Sequence, residues 1–363
     1  MIKKRLTVLL TLTSFLMLAG GCASGQETSL EESGSTQETE TAAGENQEAE
    51  ESFFAMDTYM TFSAYGEGAQ DALSDARDRV EQLETEWSVT DENSEIYKIN
   101  HSGGETVTLS EDTAEILKFA LEMAEKTDGA LEPTIYPVLR AWGFTTDENR
   151  IPGEAEIQSL LENTGYEKIT LNGNEVQIPE GMELDLGAVG KGYAGDEAAE
   201  VLKEQGISCA LLNLGGNVQA IGSRPDGTGW RLGIQNPFGE GYVGILSISD
   251  RAVVTSGNYE RYFVGEDGKT YGHIIDPSTG YPADNGLASV SIIAEEGKIG
   301  DALSTSLFVM GQEKAEQFWR ENPVFDMILV TEDGEVYVTE GIQEQFALES
   351  PFADEQLHVL EEE

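Results

Sequence analysis

Basic residues are scarce in this chain. Its 363 residues include 21 Lys and Arg against 68 Asp and Glu, for a net charge of −47. A surface of that sign repels nucleic-acid backbones and anionic lipid head groups. Nucleic acid is thereby excluded as a partner, although a local cationic or metal-assisted nucleotide site is not. Cysteine is nearly absent, with two residues in all. Cys209 lies in the apolar run 209-CALLNL-214 and reads as a buried thiol, so no disulfide framework can be built beyond a Cys22–Cys209 pair. There are three His, at 101, 273 and 358. The apolar run from Leu6 to Ala19 is shorter than the ~20 residues a membrane span needs.

That run instead reads as a secretory signal. Lys3, Lys4 and Arg5 precede it and Gly20-Gly21-Cys22 follow it. The stretch 18-LAGGC-22 resembles a lipobox, with Ala19 where Leu is commoner. Cys22 is thus the expected lipidation site, and lipid attachment there would preclude the Cys22–Cys209 pair. The protein is then expected on the outward face of a bacterial cell membrane. Between Gln26 and Ser52 there are nine Glu, no Lys or Arg, and many Ser, Thr and Gly. Such a segment cannot bury a core and should be a solvated tether. The expected organisation is a signal peptide and lipobox over 1–22, an acidic tether over 23–52, a catalytic domain over 53–350 and an acidic tail over 351–363.

Within the body, 53-FFAMDTYMTFSAYG-66 reads as a strand. Ala69, Ala72, Leu73, Ala76, Val80, Leu83 and Trp87 then recur at helical spacing, and a second helix follows Ser110. A hairpin is expected over 168–178, a strand at Leu184–Leu186, and a helix from about Lys191 to Gln205. Several strands follow, at Cys209–Leu214, Trp230–Gln235, Val243–Ile248, Ala252–Thr255, Tyr259–Val264 and Leu287–Ile293. Two helices, near Lys298–Met310 and Gln312–Arg320, and a last hairpin complete the pattern. Strands and helices come in blocks, which favours α+β, with mixed, largely antiparallel sheets and packed helices.

The stretch 183-ELDLGAVGKGYAGD-196 has the look of a phosphate loop. A Walker-type loop needs Gly where Asp185 stands and Ser or Thr where Gly192 stands, so that template fails. Gly190, Gly192 and Gly195 fit G-x-G-x-x-G, but the next strand ends 213-NLGGN-217 without the carboxylate that holds a dinucleotide ribose. On this stretch alone, glycines that merely permit a tight turn are an open reading.

Other segments change the weighing. In order along the chain, 55-AMDT-58, 128-DGALEPTIYPVLRAWGF-144, the loop above, 213-NLGGN-217, 253-VVTSGNYERYF-263, 273-HIIDPSTGYP-282 and 299-IGDALSTSLFVMG-311 resemble the ApbE-like flavin transferases (FAD:protein FMN transferases). The resemblance implies that family's fold and its reaction. FAD is cleaved at the pyrophosphate, FMN passes to a Thr or Ser hydroxyl of an acceptor protein, AMP leaves, and Mg²⁺ is required. A membrane electron-transfer subunit is the implied acceptor. The implied metal ligands are Asp301, Thr305 and the Ala188 carbonyl. Asp301 and Thr305 are four apart in an expected helix and so share a face, which suits a hard cation. The implied flavin-site residues are Met56, Thr90, Ala130, Leu131, Glu132, Asp185, Lys191, His273 and Ile275. His273 is also the implied general base, and Asp301 is counted with it as catalytic. Lys191 is expected against the pyrophosphate beside a helix N-terminus. Asp57 stands where the family usually has Gly, so its carboxylate either weakens flavin binding or points away. Thr90 stands where some members place a Tyr, which leaves Trp87 as the candidate stacking ring. His101 and His358 lie outside these motifs and read as surface residues. Two alternatives use the same residues: an Mg²⁺-dependent FAD pyrophosphatase giving FMN and AMP, and a surface lipoprotein that binds flavin without turnover.

Overall fold

A computed structural model describes residues 47–146, 148–352 and 356–362. The lipobox with Cys22 and most of the acidic tether lie outside the described residues. Nine strands form one sheet whose spatial order is their order in the chain: Glu48–Ala55, Thr58–Tyr65, Ala210–Leu214, Asn217–Ile221, Ala252–Gly257, Leu287–Ala294, Asp326–Thr331, Val336–Thr339 and Leu357–Leu360. Every neighbouring pair is antiparallel except the last, which is parallel. The α+β expectation holds. The helices are α1 (Ala69–Trp87), α2 (Glu95–Asn100), α3 (Glu111–Lys126), α4 (Tyr136–Trp142), α5 (Glu154–Leu161), α6 (Gly190–Glu204), α7 (Gly297–Met310) and α8 (Gln312–Glu321).

Period-two patterning assigns the two faces of the sheet. Val290, Ile292, Ala294, Met327 and Leu329 belong to the main core with the helices. Their neighbours Val253, Ile293, Ile328 and Val330 face the other way. There they meet Trp230, Ile234, Val243 and Leu246 from a three-stranded sheet of Trp230–Gln235, Tyr242–Ile248 and Phe346–Leu348. The result is a helix layer, a central sheet and a small second sheet. Ser94 and Ser110 cap α2 and α3, accepting from Tyr97 N–H and Thr113 N–H. Arg79 on α1 forks onto Asp112 of α3 at 2.7 and 2.8 Å and reaches Glu197 of α6 at 2.6 Å. A half-buried bidentate pair of this kind fixes orientation as well as proximity.

Several boundaries differ from the sequence reading. The expected single strand over 53–66 is a hairpin that turns at Met56 and Asp57, with φ 50° and 60°. Strand propensity runs unbroken across the turn, and only the left-handed backbone reveals it. The first strand starts at Glu48, so Glu48–Ser52 belongs to the sheet and not to the tether. Edge pairing tolerates the alternating Glu side chains. The expected C-terminal tail likewise contributes Leu357–Leu360 to the opposite edge. Leu184–Leu186 is extended but unpaired as a strand. Asn100 holds Leu184 through both backbone groups, and Pro133 O accepts Asp185 N–H. Residues 258–261 are a turn, so that strand is only Tyr262–Val264. Cys209 is half-buried, not buried.

The tightest contact in the helix layer is between α6 and α7. A Cβ on Gly192 would lie 2.3 Å from Gly297 O, and one on Gly297 would lie 2.7 Å from Gly192 O. We therefore expect Gly192→Ala to lower stability in urea by about 1–3 kcal/mol. Gly190→Ala, whose Cβ would meet only Trp87 at 3.8 Å, should lose under about 1 kcal/mol. Equal losses in the two variants would contradict the close-approach account.

Candidate functional site

The loop before α6 is built by its own carboxylate. Asp185 Oδ1 accepts Gly187 N–H at 2.5 Å, an Asx-type turn that carries the chain into the helix. Gly190 N–H then reaches back to Leu186 O, and Tyr193 N–H to Val189 O. Gly192 is the third residue of α6, so its N–H is one of the first-turn donors that a helix leaves without an intrahelical partner. It donates to Asp301 Oδ2 of α7, at 2.8 Å. Among the described residues no backbone N–H reaches Ala188 O. The bond to Gly192 uses one oxygen of Asp301, which is 4 % exposed, and leaves Oδ1 available.

One turn along α7, Thr305 Oγ1 lies 3.4 Å from Ser256 Oγ, itself 2.9 Å from Ser304 Oγ. Ser304 Oγ donates to Asp301 O at 3.0 Å. Asp301 and Thr305 both lie on α7, four residues apart, so the helix places them on one face. No three Asp, Glu, His or Cys side chains gather into a metal cage among the described residues. The open oxygens are one carboxylate, one hydroxyl and one carbonyl. That donor set fits a hard cation that keeps several waters, and not a soft metal.

Lys191 is the electrostatic centre of the loop. Its Nζ lies 3.5 Å from Gly187 O, and its charge acts on Asp185, Glu260 and His273 together. Burial pushes the Asp185 carboxyl up, against the pull of Gly187 N–H and Lys191. Burial likewise raises Glu260, with Lys191 and Arg261 opposing and Asp301 reinforcing. Glu260 is nevertheless exposed at the surface. It joins Lys191 and Asp301 in one electrostatic neighbourhood, and sequence reasoning missed it. The available signal was a charge beside Tyr259 within a strand-like run.

His273 is driven the other way. Burial, then the positive charges of Arg261 and Lys191, push its pKa down to about 4. Its Nδ1 lies 3.3 Å from Arg261 O. A carbonyl can only accept, so Nδ1 carries the proton and Nε2 offers a lone pair at neutral pH. Phe144 meets the ring edge-on at 6.5 Å, part of an aromatic group with Trp142, Phe263 and Tyr271 that the sequence reading also missed.

The remaining candidates divide. Met56 sits in the hairpin turn with its N–H on Glu84 Oε1 at 2.8 Å. Next to it, Asp57 turns its carboxylate to Arg261 Nη2 at 3.0 Å, at the open face of the turn. The two side chains are 79 % and 52 % exposed, so the pair forms at an open rim. Leu131 is 2 % exposed in the main core, leaving only backbone for a ligand. Glu132 has both oxygens engaged, by Thr134 N–H and Oγ1 and by Tyr166 N–H. It braces the loop that carries Ala130. Pro133 in that loop holds Asp185 through its carbonyl. Ile275 is buried with Val138, Trp142 and Ile157, so its side chain serves that cluster. Thr90 lies in an exposed loop after α1. Trp87 is not a free stacking ring: it is buried, donates Nε1–H to Thr113 Oγ1 and packs edge-on against Tyr193. His101 is exposed and stacked on Tyr97, whereas His358 pairs with Glu335 at 2.6 Å.

Beside Lys191 and Gly192 is a cavity of about 10 Å³ that Asn217, Gln219, Val254 and Gly297 also line. Asn217 Nδ2 and Gln219 Oε1 have no hydrogen-bond partner. The space suits about one water. A larger open cavity of about 730 Å³, walled by residues such as Arg251, Glu295 and Asp326, contains none of the candidate residues.

The sequence model of the ApbE family matches residues 56–329. An FAD:protein FMN transferase of Klebsiella pneumoniae is 34 % identical over 72 % of this chain and 82 % of its own length. One of Treponema pallidum is 33 % identical over 75 % of this chain and 80 % of its own. The crystal structure of the ApbE protein from Thermotoga maritima superposes with TM-score 0.78 at 34 % identity, covering 82 % of this chain and 99 % of that one. The apo flavinyl transferase ApbE of Pseudomonas stutzeri gives 0.75 at 26 % identity, covering 83 % and 97 %.

The depressed His273 is directly measurable. A folded-state pKa near 4 against ~6.5 unfolded means the charged ring is disfavoured in the fold. Its stabilising contribution is present above ~6.5 and lost as pH falls through about 4. NMR titration of the three imidazoles should show one midpoint near 4, absent in His273→Gln. A midpoint near 6.5 for His273 would contradict the packing described.

Proposed function

The chain belongs to the ApbE family, and from that membership we propose that it moves FMN from FAD to an acceptor protein, using Mg²⁺ and delivering FMN to a Thr or Ser hydroxyl. The observation that best supports this reading is the bond from Gly192 N–H, which holds the Asp301 carboxylate of α7 at the mouth of the loop, where Ala188 O is also open. Asp301 Oδ1, Thr305 Oγ1 and Ala188 O would hold the metal. Bound there, Mg²⁺ would neutralise charge developing on the pyrophosphate.

The chain's own groups supply the rest. Lys191 and the N-terminus of α6 attract the phosphates of an otherwise acidic protein. His273 Nε2, neutral and fixed as the acceptor by the Arg261 carbonyl, takes the proton of the incoming hydroxyl, a contribution of about 10²–10⁴ in rate. A new bond forms between the hydroxyl oxygen and the FMN phosphorus. The pyrophosphate P–O bond breaks, and AMP leaves. The partner is a protein with an accessible Thr or Ser, in our reading a membrane electron-transfer subunit. Attachment through lipidated Cys22 would place the enzyme on the outer face of the bacterial membrane beside it. No helix among the described residues is long and apolar enough to cross a membrane; in this reading the attachment is through Cys22.

Protein, FAD and Mg²⁺ incubated with an acceptor domain should give AMP and an acceptor heavier by one FMN, read by mass spectrometry. AMP and free FMN without a labelled acceptor would assign hydrolysis instead, and bound FAD without AMP would assign a flavin carrier. Asp301→Ala should reduce the Mg²⁺-dependent rate by at least ~10². A variant with unchanged rate and Mg²⁺ dependence would refute the assignment. Cys22→Ser should shift the protein from the membrane to the soluble fraction, and retention in the membrane would overturn the anchor.

A further inference from the structure

Asp196 lies on α6 one turn beyond Gly192, and its carboxylate leaves its own helix. Oδ1 accepts Gly297 N–H at 2.6 Å and Oδ2 accepts Lys298 N–H at 2.9 Å. These are two orphan donors of the first turn of α7, a helix whose preceding residue, Glu296, makes no side-chain cap. One turn further along α7, Asp301 returns a bond to α6 through Gly192 N–H. Each helix therefore lends a carboxylate to the other's first turn, on either side of the Gly192–Gly297 contact. Burial pushes the Asp196 carboxyl up to about 6, even though both N–H groups and Lys298 pull it down. A half-buried carboxylate at a helix–helix contact is held in its ionised form by such bonds.

We propose that Asp196 is a positioning residue for the transfer site, holding the start of α7 so that Asp301 and Thr305 are presented to the loop at Ala188–Gly192. It touches neither substrate nor metal in this reading; it acts through α7. The proposal rests on the metal assignment above only for its second readout.

The first readout is independent of metal. Amide hydrogen exchange in the full-length protein without Mg²⁺ should show the peptide containing Gly192 exchanging about tenfold faster in Asp196→Asn than in wild type, with peptides at the far end of α6 unchanged. Asn keeps one acceptor, so this variant should fold even if Asp196→Ala does not. Unchanged exchange at Gly192, or an equal rise throughout the helix layer, overturns the proposal. The second readout is the Mg²⁺ concentration for half-maximal AMP release. It should rise about fivefold to tenfold in Asp196→Asn, within the range by which indirect supports tune metal affinity, with the rate at saturating Mg²⁺ within about twofold of wild type. The shift in melting temperature that Mg²⁺ produces in the presence of FAD should shrink in parallel. A lowered melting temperature with unchanged half-saturation would mark Asp196 as merely structural. If Asp301→Ala keeps its response to Mg²⁺, the metal assignment has failed, and the exchange measurement still decides the role of Asp196.

Discussion

Backbone-to-backbone contact between α6 and α7 sets the geometry of the whole transfer site. Two glycines at the crossing remove the side chains that would hold the helices apart, and the distances leave no room for even a methyl group. Only because the helices come this close can Asp301 take the Gly192 N–H. That single bond aims a carboxylate at a loop that otherwise carries Lys191, beside a carbonyl, Ala188 O, that no backbone N–H takes. The central sheet, on which α7 packs through Leu287–Ala294 and Ala252–Gly257, makes the arrangement rigid.

Charge has to be handled locally in a chain of net charge −47. Lys191 and Arg261 are the cations near His273, and their fields lower its pKa after burial has done most of the work. Arg261 is partly engaged by Asp57 across the hairpin turn. Lys191 is left as the cation closest to the loop. Burial makes Asp185 and Glu260 harder to ionise, although Asp185 is only half-buried and Glu260 is exposed.

How much of this was legible in the sequence follows the range of each signal. Asp301 and Thr305 were readable because four-residue spacing on a helix is a local rule. So were the start of α6 and the helix that follows Ser110. The ordered motifs brought His273 and Lys191 to the same site, and their shared field agrees. Asp196 was invisible because a helix-surface carboxylate looks the same whether it faces water or a second helix. Glu260 was hidden inside an apparent strand that is a turn. Leu131, Glu132 and Ile275 were named as flavin contacts, yet their side chains are claimed by core packing or by loop hydrogen bonds. A motif position does not reveal which way its side chain points. The edge strands at Glu48 and Leu357 escaped because one is rich in Glu and the other is short.

The sheet's order has a consequence for how such a site can change. Thr58–Tyr65 and Ala210–Leu214 pair directly, although the chain between them makes an excursion through α1 to α6. Closing a long loop scales only with the logarithm of its length, so residues can be added to or removed from the loops that join the helices of that excursion at little entropic penalty. Much of one wall of the site, from Thr90 to Glu132 and Asp185, hangs on this excursion. Asp301 and Thr305 instead sit on α7, packed directly on the sheet. The fold thus joins a revisable wall to a fixed one, and its tolerance to insertion should be concentrated on the side that does not carry Asp301.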